Sequence, residues 1–195
     1  SWDGLRAPRY IGLDNYRQLL FTDSVFIAAL KNTLSSWFVY EIILLPIAIA
    51  LGFVLNSRNS FARGPFRFIC FLPVTMSTAV VALVFTLIYS PNNGILTNIV
   101  RSLGLPWQIN WLGDPNAALW SIVAVRIWRA VGFYAILILA GLQNVSSEQL
   151  DAARVDGASP WQTTWYVTLP ALKPIIAYLS VVSSVWALQL FEEPW

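Results

Sequence analysis

The chain has no histidine, one cysteine and one methionine in 195 residues, and only 11% of its residues are charged, under half the share of a soluble domain. Each shortage removes a class of function. Without histidine the commonest acid/base side chain and metal ligand is gone. A single cysteine can build neither a disulfide framework nor a structural zinc site. Cys70 lies inside an apolar run and is expected to be a small packing residue. A formal net charge of +2 is too weak to argue for nucleic acid. No GxxxxGK[ST] phosphate cradle occurs, so the chain is expected to do no nucleotide chemistry of its own and to need no cofactor.

What is abundant points to a bilayer. Hydrophobic residues make up 57% and the mean hydropathy is +0.61. Ten Trp and seven Tyr suit the two membrane interfaces, where an apolar ring meets a polar tip. Four segments reach the roughly 20 apolar residues that a helix needs to span a hydrocarbon core: 33–55, 67–89, 117–140 and 171–191. Pro46 and Pro73 fall inside the first two and predict kinks there. The chain starts SWDG, without Met and without a signal-peptide n-region or cleavage site. Both ends are expected to be cuts in a longer protein, with a further helix before residue 1.

Orientation follows from Arg and Lys, which short cytoplasmic loops retain. The connection NSRNSFARGPFR carries Arg58, Arg63 and Arg67 and no acid, and is placed inside. The connection 90–116 carries Arg101 against Asp114 and is placed outside. Alternation then makes 142–170 cytoplasmic and 1–32 external. No long internal repeat is found.

The third connection is more than a loop. Ser146 and Gln149 have capping-box spacing, and Glu148 and Asp151 sit where a helix dipole favours acids. Gly157 stands where a left-handed residue would end the helix. One short helix over 147–156 is therefore expected. Ser159, Pro160 and Gln162 repeat the start signal for a second helix to about Thr168, after which Leu169 and Pro170 should turn the chain back into the membrane. On the first helix, Leu150, Ala153 and Val155 form only a weak apolar set. The adjacent Ala152 and Ala153 permit close approach by another surface. A helix lying on lipid headgroups would carry Lys or Arg. Here Arg154 is outnumbered by Glu148, Asp151 and Asp156, which favours a protein surface.

At these residues the chain resembles the membrane-spanning permease subunits of bacterial binding-protein-dependent ABC importers, especially the carbohydrate group. Their signature is EAA, three residues, G, nine residues, I, one residue, LP. Asp151-Ala152-Ala153, Gly157, Val167 and Leu169-Pro170 stand at that spacing, with Asp for Glu and Val for Ile. AGLQNVSSEQLDAARVDGA, IGLDNYRQLL and WLGDPNAAL also resemble the group. The resemblance implies an all-α polytopic transmembrane bundle of the type I importer kind, a single permease domain over 1–195 in the bacterial inner membrane. It implies that 150–157, with Leu150, Asp151, Ala152, Ala153 and Gly157, is a coupling helix docking on a separate cytoplasmic ATPase dimer. A second permease subunit, related or identical, and an external solute-binding protein would complete the assembly, importing a sugar or related solute. Carried over by position, Gly132, Phe133, Tyr134, Ser183, Ser184, Trp186 and Gln189 are candidates for lining the substrate path, with helix packing as the alternative for each.

Two kinds of charge fall inside the expected spans. Glu41 lies eight residues into the first and Arg126 nine into the third, roughly 12 to 14 Å deep at the helical rise. Intramembrane charges are usually paired or functional, so Glu41 is expected to pair with Arg126 or with Arg129, which shares its face; snorkelling arginines are the alternative. Two other classes stay open: an ion-coupled secondary transporter, expected to show discontinuous helices or repeated halves, neither evident in the sequence, and a non-transport membrane scaffold, which would need no coupling helix.

Overall fold

The computed structural model describes residues 10, 12–57, 63–104 and 110–189, and these are helices joined by short turns, with no strand among them. In order they are α1 (Asp14–Phe21), α2 (Ser24–Asn56), α3 (Arg63–Thr75), α4 (Thr78–Ile88), α5 (Ile95–Ser102), α6 (Pro115–Gln143), α7 (Ser147–Val155), α8 (Pro160–Thr163), a π segment (Thr164–Thr168) and α9 (Leu169–Leu188). Three stretches are long and apolar enough to cross a membrane: Ser24–Asn56, Pro115–Gln143 and Pro160–Leu188. Gly64–Thr75 with Thr78–Ile88 makes a fourth if the pair, bent by 98°, counts as one span. Arg58, Leu190 and Phe191 of the expected loop and last span lie outside the described residues.

The core is a narrow seam between α2, α6 and α9. On α2 the buried residues are Ser36, Tyr40, Leu44, Ala48, Gly52 and Leu55, nearly one every fourth position, so a single stripe faces inward. Tyr40, Leu44 and Ala48 pack with Val123, Tyr134, Ile138 and Leu142 of α6 and with Leu172, Leu179 and Ala187 of α9. Outside the stripe α2 exposes Phe38, Ile42, Ile43 and Ile47. A helix apolar all round, with only one face against protein, is what lipid on the other faces requires.

Asp23 caps α2 by accepting from the amides of Val25 and Phe26 at 3.0 Å each, and the helix runs through Pro46 without interruption. Pro73 behaves differently. One turn later the chain breaks, because Ser77 caps a new helix, α4, while Pro73 has already removed one amide donor from the end of α3. The expected span 67–89 is therefore two helices, not one kinked helix. Such a discontinuity was expected of the secondary-transporter class, so its presence removes that criterion for separating the two transporter classes.

Connection 90–116 is tied down by a relay of hydrogen bonds. Tyr89 donates to the Ser121 carbonyl at 3.0 Å, Ser121 to the Trp111 carbonyl at 3.1 Å, Trp111 Nε1 to Thr97 Oγ1 at 3.3 Å, and Thr97 to the Ser90 carbonyl at 3.0 Å. Its residues 105–109 lie outside the described part. α6 then starts on an Asp114 cap with Pro115 at its first position.

Candidate functional site

Two regions carry the functional candidates, the α7–α8 turn at one end of the bundle and a polar layer within it. At the turn, α7 covers Ser147–Val155 and Gly157 has φ +78°. The Gly157 amide donates to the Arg154 carbonyl at 3.0 Å and the Ala158 amide to the Ala153 carbonyl at 2.9 Å. This pair of bonds is the Schellman closure that a left-handed C′ residue permits. Only one of the two expected capping boxes forms. At Ser159 both halves are present, with the Gln162 amide to Ser159 Oγ at 3.3 Å and the Ser159 amide to Gln162 Oε1 at 2.8 Å. At Ser146, with φ −58° and ψ 125°, no side-chain cap bond is made.

The chain does not turn at Leu169 and Pro170. It continues from Pro160 to Leu188 through the π segment, whose widened turn lets the Leu169 amide reach the Thr164 carbonyl, five residues back. Pro170 has no amide to give and its ring would crowd the carbonyl four residues earlier. One extra residue per turn relieves both problems. The second helix and the last span are thus one rod, with two residues, Ala158 and Ser159, joining it to the α7 turn.

Side chains on α7 divide into two faces. Leu150 and Ala153 are half-buried, on a helix that packs against α8 and the π segment, whereas Asp151, Ala152 and Gly157 are exposed, and Val155 is 88% exposed. Asp151 forms an ion pair with Arg154 at 2.7 Å, both largely in solvent. Such an exposed pair contributes little to stability, and either partner can exchange it for another. The two alanines therefore do different things: Ala153 is half-covered by the chain itself, and Ala152 is the one open to approach.

Within the bundle, Glu41 does not pair with either arginine at contact distance. Its Oε1 accepts from the hydroxyl of Ser183 and lies 3.3 Å from that of Ser184, whose single proton is closer to the Ser180 carbonyl at 2.7 Å, and Trp37 Nε1, one turn back on α2, donates to Ser184 Oγ at 2.9 Å. Arg126 donates to the carbonyls of Trp186 at 2.6 Å and Ala187 at 3.4 Å, and lies 5.2 Å over the Tyr40 ring. Arg129 donates to Thr78 Oγ1 at 2.9 Å and to the Met76 carbonyl at 3.2 Å. The reason is the same for both guanidiniums. Each reaches a helix discontinuity, the end of α9 or the α3–α4 break, where carbonyls have lost intrahelical partners and a multi-donor cation can satisfy them.

Gly132 is buried against α3, and a Cβ there would stand 1.7 Å from the Cys70 carbonyl oxygen, so it is a close-approach position between helices. Phe133 is half-buried beside Phe71 and Tyr134, Tyr134 and Ser183 are buried, and Trp186 is 61% exposed. Ser184 is half-buried and Gln189 exposed. Tyr134 shares a side-chain hydrogen bond with Ser183, and Ser183 and Ser184 meet at Glu41. A separate cavity of about 350 Å³ opens between α4 and α6, walled by Thr78, Phe85, Tyr89, Ile122, Arg126 and Arg129 among others and by none of these seven. Sequence reasoning missed it and missed Trp37, although Trp37 stands four residues from Glu41, the spacing that puts two residues on one helical face.

Comparison with known proteins matches residues 43–191 to the family described as binding-protein-dependent transport system inner membrane component. The arabinooligosaccharides transport system permease protein AraP of Bacillus subtilis is 35% identical over 185 residues, 94% of this chain and 58% of that protein. The xylose/arabinose import permease protein XacH of Haloferax volcanii is 34% identical over 193 residues, 98% of this chain and 60% of that protein. Among solved structures, a bacterial ABC transporter involved in the import of the acidic polysaccharide alginate superposes with TM-score 0.80 at 30% identity, over 93% of this chain and 63% of its own. The chain thus spans less than two thirds of each of these three.

Proposed function

The chain belongs to the binding-protein-dependent transport system inner membrane components, and from that membership we propose that it is the membrane-spanning subunit of an ATP-driven importer for a sugar or oligosaccharide. α7 docks on a separate cytoplasmic ATPase dimer, which carries out the ATP hydrolysis. A second permease, related or identical, completes the translocation path in the bacterial inner membrane, and an external solute-binding protein delivers the substrate.

The observation that carries this reading is the exposed face of α7 joined by a four-residue turn, 156–159, closed by backbone hydrogen bonds, to a continuous 29-residue rod. A force applied at Asp151, Ala152 and Val155 is delivered to a membrane helix with almost no slack, and tilting such rods is how a closing partner opens a path on alternate sides. A membrane scaffold has no use for that linkage. The carbohydrate relatives support a saccharide substrate, and the aromatic faces of Phe85 and Tyr89 beside Thr78 in the α4–α6 cavity are of the kind that stack on sugar rings.

Ala152→Arg tests the docking face. In the full-length permease, co-expressed with its ATPase and assayed in membrane vesicles, it is expected to abolish co-purification of the ATPase while leaving the permease at its normal level in the membrane. Normal assembly and uptake would overturn the assignment. Ala153→Arg is a poorer test, since Ala153 is already half-buried by the chain itself.

A further inference from the structure

The rod from Pro160 to Leu188 has to be held somewhere if force at its α7 end is to tilt it, and its long-range polar ties cluster in one place. Among the described residues, the side-chain hydrogen bonds that fasten the rod to other helices fall within 183–187. Glu41 accepts from Ser183, Trp37 donates to Ser184, and Arg126 takes the carbonyls of Trp186 and Ala187. Three helices therefore meet at one level, some 15 residues or roughly 22 Å beyond the end of the π segment at the helical rise. Below that level the rod meets the bundle through apolar contacts such as Leu172 and Leu179, which slide more readily than directional bonds.

Glu41 is an expensive choice if its only task is to fill space. Its Oε2 is buried with no hydrogen-bond partner, and a buried carboxylate oxygen left unsatisfied is destabilising relative to a well-packed apolar side chain. What a leucine could not do is hold the Ser183 hydroxyl. Ser183 and Ser184 point in different directions around α9, 100° apart on a helix of 3.6 residues per turn, and Trp37, one turn from Glu41 on α2, holds Ser184. Gripping both from one face of α2 resists rotation of the rod about its own axis as well as sliding along it.

We infer that Glu41 is a positioning residue for energy coupling, fastening α9 to α2 through Ser183 beside the Trp37–Ser184 bond, so that displacement at α7 tilts the rod instead of spinning it. This rests on the importer reading above. The test uses the full-length permease with its ATPase and binding protein in proteoliposomes, and reads substrate molecules transported per ATP hydrolysed. Glu41→Leu is expected to lower that ratio at least threefold with the amount of assembled complex unchanged. Glu41→Gln, whose amide oxygen still accepts from Ser183, is expected to restore it to within a factor of two of the wild type. A purely structural role would lower the amount of complex and leave the ratio alone. Should Glu41→Leu fail to assemble, Trp37→Phe with Ser184→Ala loosens the same joint without touching the carboxylate and is expected to lower the ratio too. A wild-type ratio in Glu41→Leu, or in the double variant where Glu41→Leu does not assemble, overturns the inference. Absence of ATP-driven uptake in the wild-type complex would instead overturn the importer reading.

Discussion

Gly132→Ala adds one methyl group where α6 crosses α3. The new Cβ would lie 1.7 Å from the carbonyl oxygen of Cys70 and 2.5 Å from its carbonyl carbon. Ordinary contact is near 3.5 Å, so the two backbones must part by roughly 1.5 to 2 Å. The neighbour is main chain inside a helix and has no rotamer to change. Overpacking of this kind typically costs about 1–3 kcal/mol. Moving α3 also strains the bonds that Arg129 makes near its end, to the Met76 carbonyl and to Thr78, each worth about 1.5–3 kcal/mol as a bond to a charged donor. Relaxation shares these costs, and a total of about 3–5 kcal/mol is expected, which lowers the melting temperature by roughly 6–20 °C for a chain of this size. The assay is thermal unfolding of the purified protein in detergent, with Gly64→Ala as control. Gly64 is on the same helix, α3, and a Cβ there meets nothing within 4 Å, so that variant should melt no lower than the wild type. Cys70, the single cysteine, reports independently: its labelling by a membrane-permeant maleimide should accelerate in Gly132→Ala. Melting within about 1 °C of the wild type and unchanged labelling would refute the close crossing.

The two serines before the short helices offer a matched comparison. Ser159→Ala removes a complete capping box and should destabilise by about 1 kcal/mol, whereas Ser146→Ala removes no cap bond and should change stability by no more than a few tenths; equal effects in chemical denaturation would contradict the geometry. At Gly157, φ is +78° with open space around the Cα, so Gly157→Ala is strained by conformation alone, about 1–2 kcal/mol, and Gly157→Asn by less. Hydrogen exchange at the Ala158 amide, which closes the turn onto Ala153, should accelerate in the order Gly, Asn, Ala, and identical rates would count against a left-handed turn.

Much of this was legible in the residues because it depends on neighbours in the chain. The α7 helix, its glycine stop and the Ser159 capping box all follow from spacing within a turn or two, and the span positions follow from the lengths of apolar runs. Ser146 shows the limit of that kind of reading: the residue types for a capping box are present, but the side chain makes no cap bond. Proline was equally ambiguous. Pro46 sits in an unbroken helix, Pro73 precedes a 98° break because Ser77 stands ready to cap the next helix, and Pro170 is absorbed by a π turn. Each outcome is decided by what surrounds the freed carbonyl. The charged residues were least legible. Glu41, Arg126 and Arg129 were rightly singled out as costly, but pairing by opposite sign ignored the carbonyls at helix ends and the two serines, which become neighbours only when α2, α6 and α9 come together.

The central claim is that the exposed face of α7 meets a separate ATPase, and site-directed cross-linking at Ala152 tests it most directly. With Cys70 replaced by serine and Ala152→Cys introduced into the full-length permease, a short bifunctional thiol reagent is expected to join the permease to its ATPase, carrying one introduced cysteine in the groove that faces it. Leu112→Cys, in the connection 90–116, is expected to give no such product. A cross-link absent from Ala152→Cys in a complex that still contains the ATPase, or present at equal yield from Leu112→Cys, would contradict the account.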